Sequence, residues 1–238
     1  MRRIQKLIDA QECAVKKVLS FSLILIASLV LILGVRFWMA AIQAYKADLF
    51  LEHWSEQGTP PGPQAWQAAR QAAESAISWY PVVNGVHQAR LARVHEWRYF
   101  DRPFNDPDAQ ESRRHALKYY RLATESRPLW PYYWGQLALM KLHLLEADDE
   151  FETAYQQAYN SAPWQALHLF ELSQMGWEFW DLLSGTQKTQ VLQVTKQALE
   201  ADPRNQRRIR KLLEDTERLS LFCLYYTTQV ADADRLCS

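Results

Sequence analysis

Glycine is scarce in this chain, with seven residues in 238. A phosphate-cradling Gly-rich loop or a turn-dense β-sandwich needs more. Cysteine is scarcer still: three residues cannot staple a disulfide scaffold. Neither sign of charge is in excess, because 27 Lys+Arg meet 27 Asp+Glu. A nucleic-acid binder usually carries a basic surplus, so no nucleic-acid partner is expected. A mean hydropathy of −0.34 excludes a polytopic membrane protein. H-E-x-x-H, G-x-S-x-G, the P-loop and S-x-x-K with its partners are all missing. No catalytic residue, no metal site and no cofactor is therefore expected. Tryptophan, by contrast, is abundant, with ten residues.

One long apolar run exists. Val18 to Val35 holds no charge, with Lys16 and Lys17 before it and Arg36 after it. At ~1.5 Å rise its residues cover about 27 Å, close to the hydrocarbon thickness of a bilayer. Phe37 and Trp38 follow as interfacial anchors would. The run is longer than the ~7–15-residue apolar region of a signal peptide, which favours an uncleaved anchor. A cleaved signal is the alternative, since Ala40, Ala41 and Ala44 follow. Arg2, Arg3, Lys6, Lys16 and Lys17 outnumber Arg36 and Lys46 on the other flank. The positive flank stays inside. The expected topology is therefore a single-pass protein of a bacterial inner membrane, with residues 1–17 cytoplasmic, 18–35 spanning and the remainder periplasmic.

Residues 36–63 read as a helical stalk followed by a linker. Trp38, Ile42, Tyr45 and Leu49 recur at 4-3-4 spacing and form one apolar seam. The seam packs either on the protein's own outer domain or on a partner helix. Gly58-Thr59-Pro60-Pro61-Gly62-Pro63 then stops the helix as a hinge.

Residues 64–228 read as helical repeats, with 229–238 a tail. Four prolines follow an alanine by five residues: Ala76/Pro81, Ala123/Pro128, Ala158/Pro163 and Ala198/Pro203. The steps of 47, 35 and 40 residues suit two-helix repeats. A small residue lets two helices approach, and the proline ends the second. Ala69 and Ala116 lie twelve before their prolines, Tyr120 and Tyr155 eight before, and Trp134, Leu137 and Ala138 follow Pro128 in register. This pattern resembles the tetratricopeptide repeat. Phe151 and Val191 depart from it, standing where the second alanine belongs. Phe100 to Asp108 looks like an insertion.

The expected helices are Gln64–Ser78, Val83–Tyr99, Asp108–Glu125, Pro131–Glu146, Asp149–Ser161, Gln165–Leu183, Thr186–Ala201 and Asn205–Thr228. The fold class is all-α, with one transmembrane helix and a periplasmic α-solenoid similar to tetratricopeptide repeats.

His87 and His95 read as helix-surface residues, with no Cys or second His at ligand spacing. Cys223 and Cys237 either pair in an oxidising periplasm or remain free thiols. Arg204, Arg207, Arg208, Arg210 and Lys211 form either a solvated face or a docking patch for an acidic partner. The acidic run Glu146 to Glu152 reads as an inter-helix turn.

Ser126-Arg127-Pro128-Leu129-Trp130-Pro131-Tyr132-Tyr133-Trp134 is the most distinctive stretch. It either fills the groove between helix pairs or presents rings to a partner or a glycan. Trp130 and Tyr133 are the candidate contacts, with Arg207, Arg208 and Arg210. The Arg-Pro-x-Trp-Pro-Tyr run, the single anchor and the degenerate repeats together resemble the VpsP family of exopolysaccharide biosynthesis accessory proteins. That resemblance implies a non-enzymatic scaffold in capsule or biofilm polysaccharide production. Polymerase, transport or export proteins are the implied partners. A general envelope scaffold associated with chaperones is the first alternative, and a glycan-active enzyme the second.

Overall fold

The computed structural model describes residues 2–227 and residue 237. The tail expected at 229–238 lies outside these residues, apart from Cys237. Ten α-helices account for the described chain, and no strand occurs among its residues. They are α1 (Arg2–Gln57), α2 (Pro63–Trp79), α3 (Gly85–Trp97), α4 (Pro107–Ser126), α5 (Pro131–His143), α6 (Asp149–Ser161), α7 (Ala166–Glu178), α8 (Gly185–Ala201), α9 (Asn205–Asp215) and α10 (Leu219–Thr227).

The starts follow local chemistry. Pro63, Pro107 and Pro131 stand in the first turns of α2, α4 and α5, where a missing N–H costs nothing. Asn84 and Asp148 accept backbone N–H groups at the starts of α3 and α6. Ser184 and Gln187 form a capping box on α8.

α1 is one helix of 56 residues, about 84 Å long. From Leu19 onward it is long and apolar enough to cross a membrane. Its C-terminal half does not stand alone. Ala47, Leu51 and Trp54 share a core cluster with Trp66, Ala69 and Ala73 of α2 and with Leu91 and Val94 of α3. The Gly58–Pro63 segment is accordingly a tight reversal, with Gly58 at φ 62°, and it does not separate two bodies.

The packed face of α1 is not the expected seam. Ala40, Ala44 and Ala47 are buried, while Trp38, Tyr45 and Leu49 face outward, Trp38 at 65% exposure. The alanine face wins because small residues allow two backbones to approach along several turns. A stripe of rings would hold them apart.

The alanine frame is fully buried. Ala69, Ala76, Ala116, Ala123, Ala158 and Ala198 have no exposed area. The helices pack most closely in the pairs α1 with α2, α3 with α4, α5 with α6 and α7 with α8. At the fourth step, Val191 is buried in place of an alanine, and Gly176 of α7 faces it. The missing side chain on one helix accommodates the extra bulk on the other.

Three ends differ from expectation. α5 stops at His143, and Leu145 adopts φ 58° while the Glu146 N–H reaches back to the Lys141 carbonyl. α7 ends at Glu178, and a single 3₁₀ turn covers Trp180–Leu182. The last helix is two: Glu217 turns left-handed at φ 58°, and the Arg218 N–H bonds to the Leu213 carbonyl. Both left-handed breaks are Schellman turns made without glycine.

Candidate functional site

The insertion between α3 and α4 packs onto later helices. Phe104 lies 5.0 Å from the His143 ring and 4.4 Å from Phe179. Arg113 of α4 fixes the segment by donating to the carbonyls of Arg102 and Pro103, each at 2.8 Å. These contacts wall off a groove of about 470 Å³ between α3, α4, α5 and α7. Glu96, Gln136, His143, Glu171, Gln174 and Glu178 supply most of its polar lining, with Tyr99 and with Arg113, whose guanidinium is held by backbone carbonyls.

Acceptors dominate that lining. Tyr120 donates its hydroxyl to Glu96 Oε2 at 2.9 Å. Burial raises the Glu96 carboxyl above its ordinary value, although that hydrogen bond opposes the shift. Burial raises Glu171 too, with Arg208 opposing it. Burial, aided by Arg113, pushes the His143 imidazole down to about 4, so it is neutral at pH 7. Gln136 Oε1 is buried and accepts no hydrogen bond from the described residues. Glu178 Oε1 accepts from Gln174 at 2.8 Å. The groove is therefore suited to a donor-rich segment: a Lys or Arg side chain, or a run of backbone amides. No motif marks it in the sequence. Its glutamates come from helices more than seventy residues apart in the chain, and only packing brings them together.

The sequence-derived contacts lie elsewhere. Tyr133 is 5% exposed and belongs to the core, which removes it as a surface contact. Trp130, three residues earlier, is 45% exposed at the head of α5, with the Arg127 guanidinium 4.4 Å over its ring. The difference is helical phase: Tyr133 faces inward from the first turn, while Trp130 precedes it. Arg207 and Arg208 are exposed at the start of α9. Arg208 lies 3.7 Å over Phe170, and Arg210 pairs with Glu214 at 2.9 Å. Trp130 and the arginines line no wall of the groove.

His87 and His95 are not on the surface, unlike His53 and His115, which are exposed. His87, His95 and His168 are buried, and no cluster of metal-ligating groups occurs among the described residues. His95 stacks on His115 at 5.0 Å and on Tyr119 at 5.8 Å, and Trp66 meets it edge-on. Burial pushes its imidazole down to about 3, helped by His115 and two arginines.

The acidic run closes an ion network. Lys141 is nearly buried and meets Glu146 at 2.8 Å, Asp148 at 2.7 Å and Glu150 at 3.3 Å. Arg114 and Arg121 of α4 hold Glu146 and Glu150 from the other side. This turn locks α5 and α6 onto α4. Cys223 and Cys237 are joined by a disulfide, with Cα atoms 5.7 Å apart.

The chain matches no protein-family model, and no curated protein matches it.

Proposed function

We propose that this protein is a single-pass membrane scaffold whose helical-repeat domain holds a donor-rich segment of a partner protein. The acceptor-lined groove across α3, α5 and α7 carries this reading. α3, α5 and α7 are the first helices of successive pairs, as on the concave face of a tetratricopeptide-like α-solenoid. Such a face binds extended segments through residues drawn from several repeats.

The charge asymmetry around the apolar run supports an N-terminus in the cytoplasm and a periplasmic repeat domain at a bacterial inner membrane. The resemblance to VpsP-type proteins supports a client in exopolysaccharide synthesis or export. Mechanism is then positioning. The 56-residue α1 joins span and domain without a joint, so the groove keeps a fixed height above the bilayer.

The test is crosslinking in native membranes from a photoreactive side chain at Gln174, compared with Glu96→Gln and Glu171→Gln in the same background. A specific protein adduct that fades in both variants, with polysaccharide secretion falling at normal protein level, is the expected result. An adduct and a secretion level indifferent to both substitutions would refute the groove as the holding site. A reporter fused after Ser238 tests topology separately, and activity of a cytoplasmic reporter would overturn it.

A further inference from the structure

The end of the uncharged run is tied to one particular edge of the helical domain. Arg36 donates to the carbonyls of Ser78 and Trp79, both at 3.1 Å, and Phe37 packs edge-on against Tyr80 at 5.1 Å. The α2–α3 turn therefore sits level with the point where α1 leaves the apolar stretch. Because neighbours alternate in direction, every second turn returns to this level. The contacts bear this out step by step. The Gly85 N–H meets Ser126 Oγ at 3.0 Å, linking the start of α3 to the end of α4. Near the start of α5, Gly135 faces His168 of α7, whose Cε1 would lie 3.4 Å from an added Cβ, and His168 bonds the Ala158 carbonyl of α6 at 3.0 Å. Asn205 of α9 donates to the Ala166 carbonyl of α7 at 3.2 Å.

Three of these four turns, all but α8–α9, expose large apolar side chains. Val82 is 67% exposed, Leu129 84% and Trp164 75%, with Trp130 and Leu167 beside them. Val82, Leu129 and Trp164 leave most of their apolar surface uncovered by the protein. Arginines accompany them: Arg127 over Trp130, and Arg204, Arg207 and Arg208 at the last of the turns. The opposite edge differs. Its exposed rings, Phe100 and Phe104, reach 50% at most, and its turns carry Glu146 and Asp148 as well as the exposed Arg102.

We infer that the edge formed by the α2–α3, α4–α5, α6–α7 and α8–α9 turns lies in the interface of the bilayer that α1 spans, dipping Val82, Leu129, Trp130 and Trp164 among the lipid headgroups. Trp prefers that depth, where its ring is apolar and its N–H is wet. Arginine stems lie along the apolar boundary while their guanidinium groups reach lipid phosphates. Several weak insertions on one rigid edge add to an anchor that already holds the edge at the surface, so the effective concentration is high. The groove, opening between helices above this edge, is then held upright over the membrane. The inference rests on α1 being a membrane span.

The experiment uses the full chain in vesicles of phosphatidylethanolamine with a minority of phosphatidylglycerol. p-Benzoylphenylalanine is placed singly at Leu25, Leu129, Trp164 and Leu145, all of them exposed side chains. After irradiation, lipid adducts are read as a mass shift. The expected result is adducts at Leu25, Leu129 and Trp164, and background at Leu145 on the far edge. Adducts at Leu25 without both turn positions would overturn the inference while leaving the span intact. No adduct at Leu25 would overturn the span, and the inference with it. Equal labelling at all four would overturn the assignment of one edge. A second measurement follows lipid-dependent protection of the Leu129 and Trp164 turns by hydrogen exchange, compared between vesicles and detergent. Equal exchange in both would also overturn it.

Discussion

Replacing Gly176 by Ala should destabilise the protein, against the preference of an isolated helix. In a helix interior the change by itself gains about 1 kcal/mol. In the folded chain the added methyl would lie 2.3 Å from Val191 Cγ2 and 2.6 Å from Cγ1. Val191 is buried and β-branched, held to one favoured rotamer in a helix, so it has no free torsion to turn away. Relief requires α7 and α8 to separate, which strains the hydrogen bond from Trp177 Nε1 to Thr195 Oγ1 at 2.8 Å. Overpacking of this kind costs about 1–3 kcal/mol, and a 2.3 Å contact belongs at the upper end. The net loss is then about 2 kcal/mol, or roughly 4–8 °C in melting temperature for a chain of this size. Val191→Ala alone leaves a small cavity and costs about 2 kcal/mol. The double variant puts at this position the alanine found at Ala69 and Ala116, so its loss should be well below the sum of the two. The assay is thermal unfolding of the full chain in detergent by circular dichroism. A Gly176→Ala protein that melts at or above the wild type, or two losses that simply add, would refute the close-approach argument.

Three further outcomes are expected. Stability should fall as pH drops from about 6.5 toward 5. His95 stays neutral in the folded state at about 3, whereas the unfolded chain takes up a proton near 6.5. That one group contributes roughly 2 kcal/mol over the interval. Denaturant titrations at both pH values check it, and an unchanged midpoint slope with pH in His95→Phe compared with wild type would contradict the account. Tyr133→Ala should cost about 3–5 kcal/mol, while Trp130→Ala should leave the melting temperature nearly unchanged. Reversed sensitivities would mean the first turn of α5 has the opposite phase. Finally, thiol labelling of denatured, unreduced protein should reach Cys13 but neither Cys223 nor Cys237. Labelling of all three would rule out the bridge.

Much of the architecture is determined locally, and the sequence alone carried it. Eighteen consecutive uncharged residues need no tertiary contact to be long and apolar enough for a bilayer. Prolines after the helices and polar caps before them set element boundaries within a residue or two for α2, α4, α6 and α8. The alanine frame was legible because close helix approach imposes one residue type at fixed spacing from a helix stop. Everything that depended on which face meets which neighbour was decided by the tertiary structure. The Trp38–Tyr45–Leu49 seam looked like the packing face of α1, yet the smaller alanine face lets α2 and α3 come nearer. The break after Asp215 has no glycine or proline to announce it, and it forms where Glu217 accepts a left-handed turn. Val191 looked like a defect in the repeat until Gly176, fifteen residues earlier, was placed against it. The acceptor-lined groove has no sequence signature, because its carboxylates acquire their character from burial between helices far apart in the chain. Periodicity records what one helix requires of its residues, whereas complementarity between helices is a property of pairs, and the pairs exist only once the chain has folded.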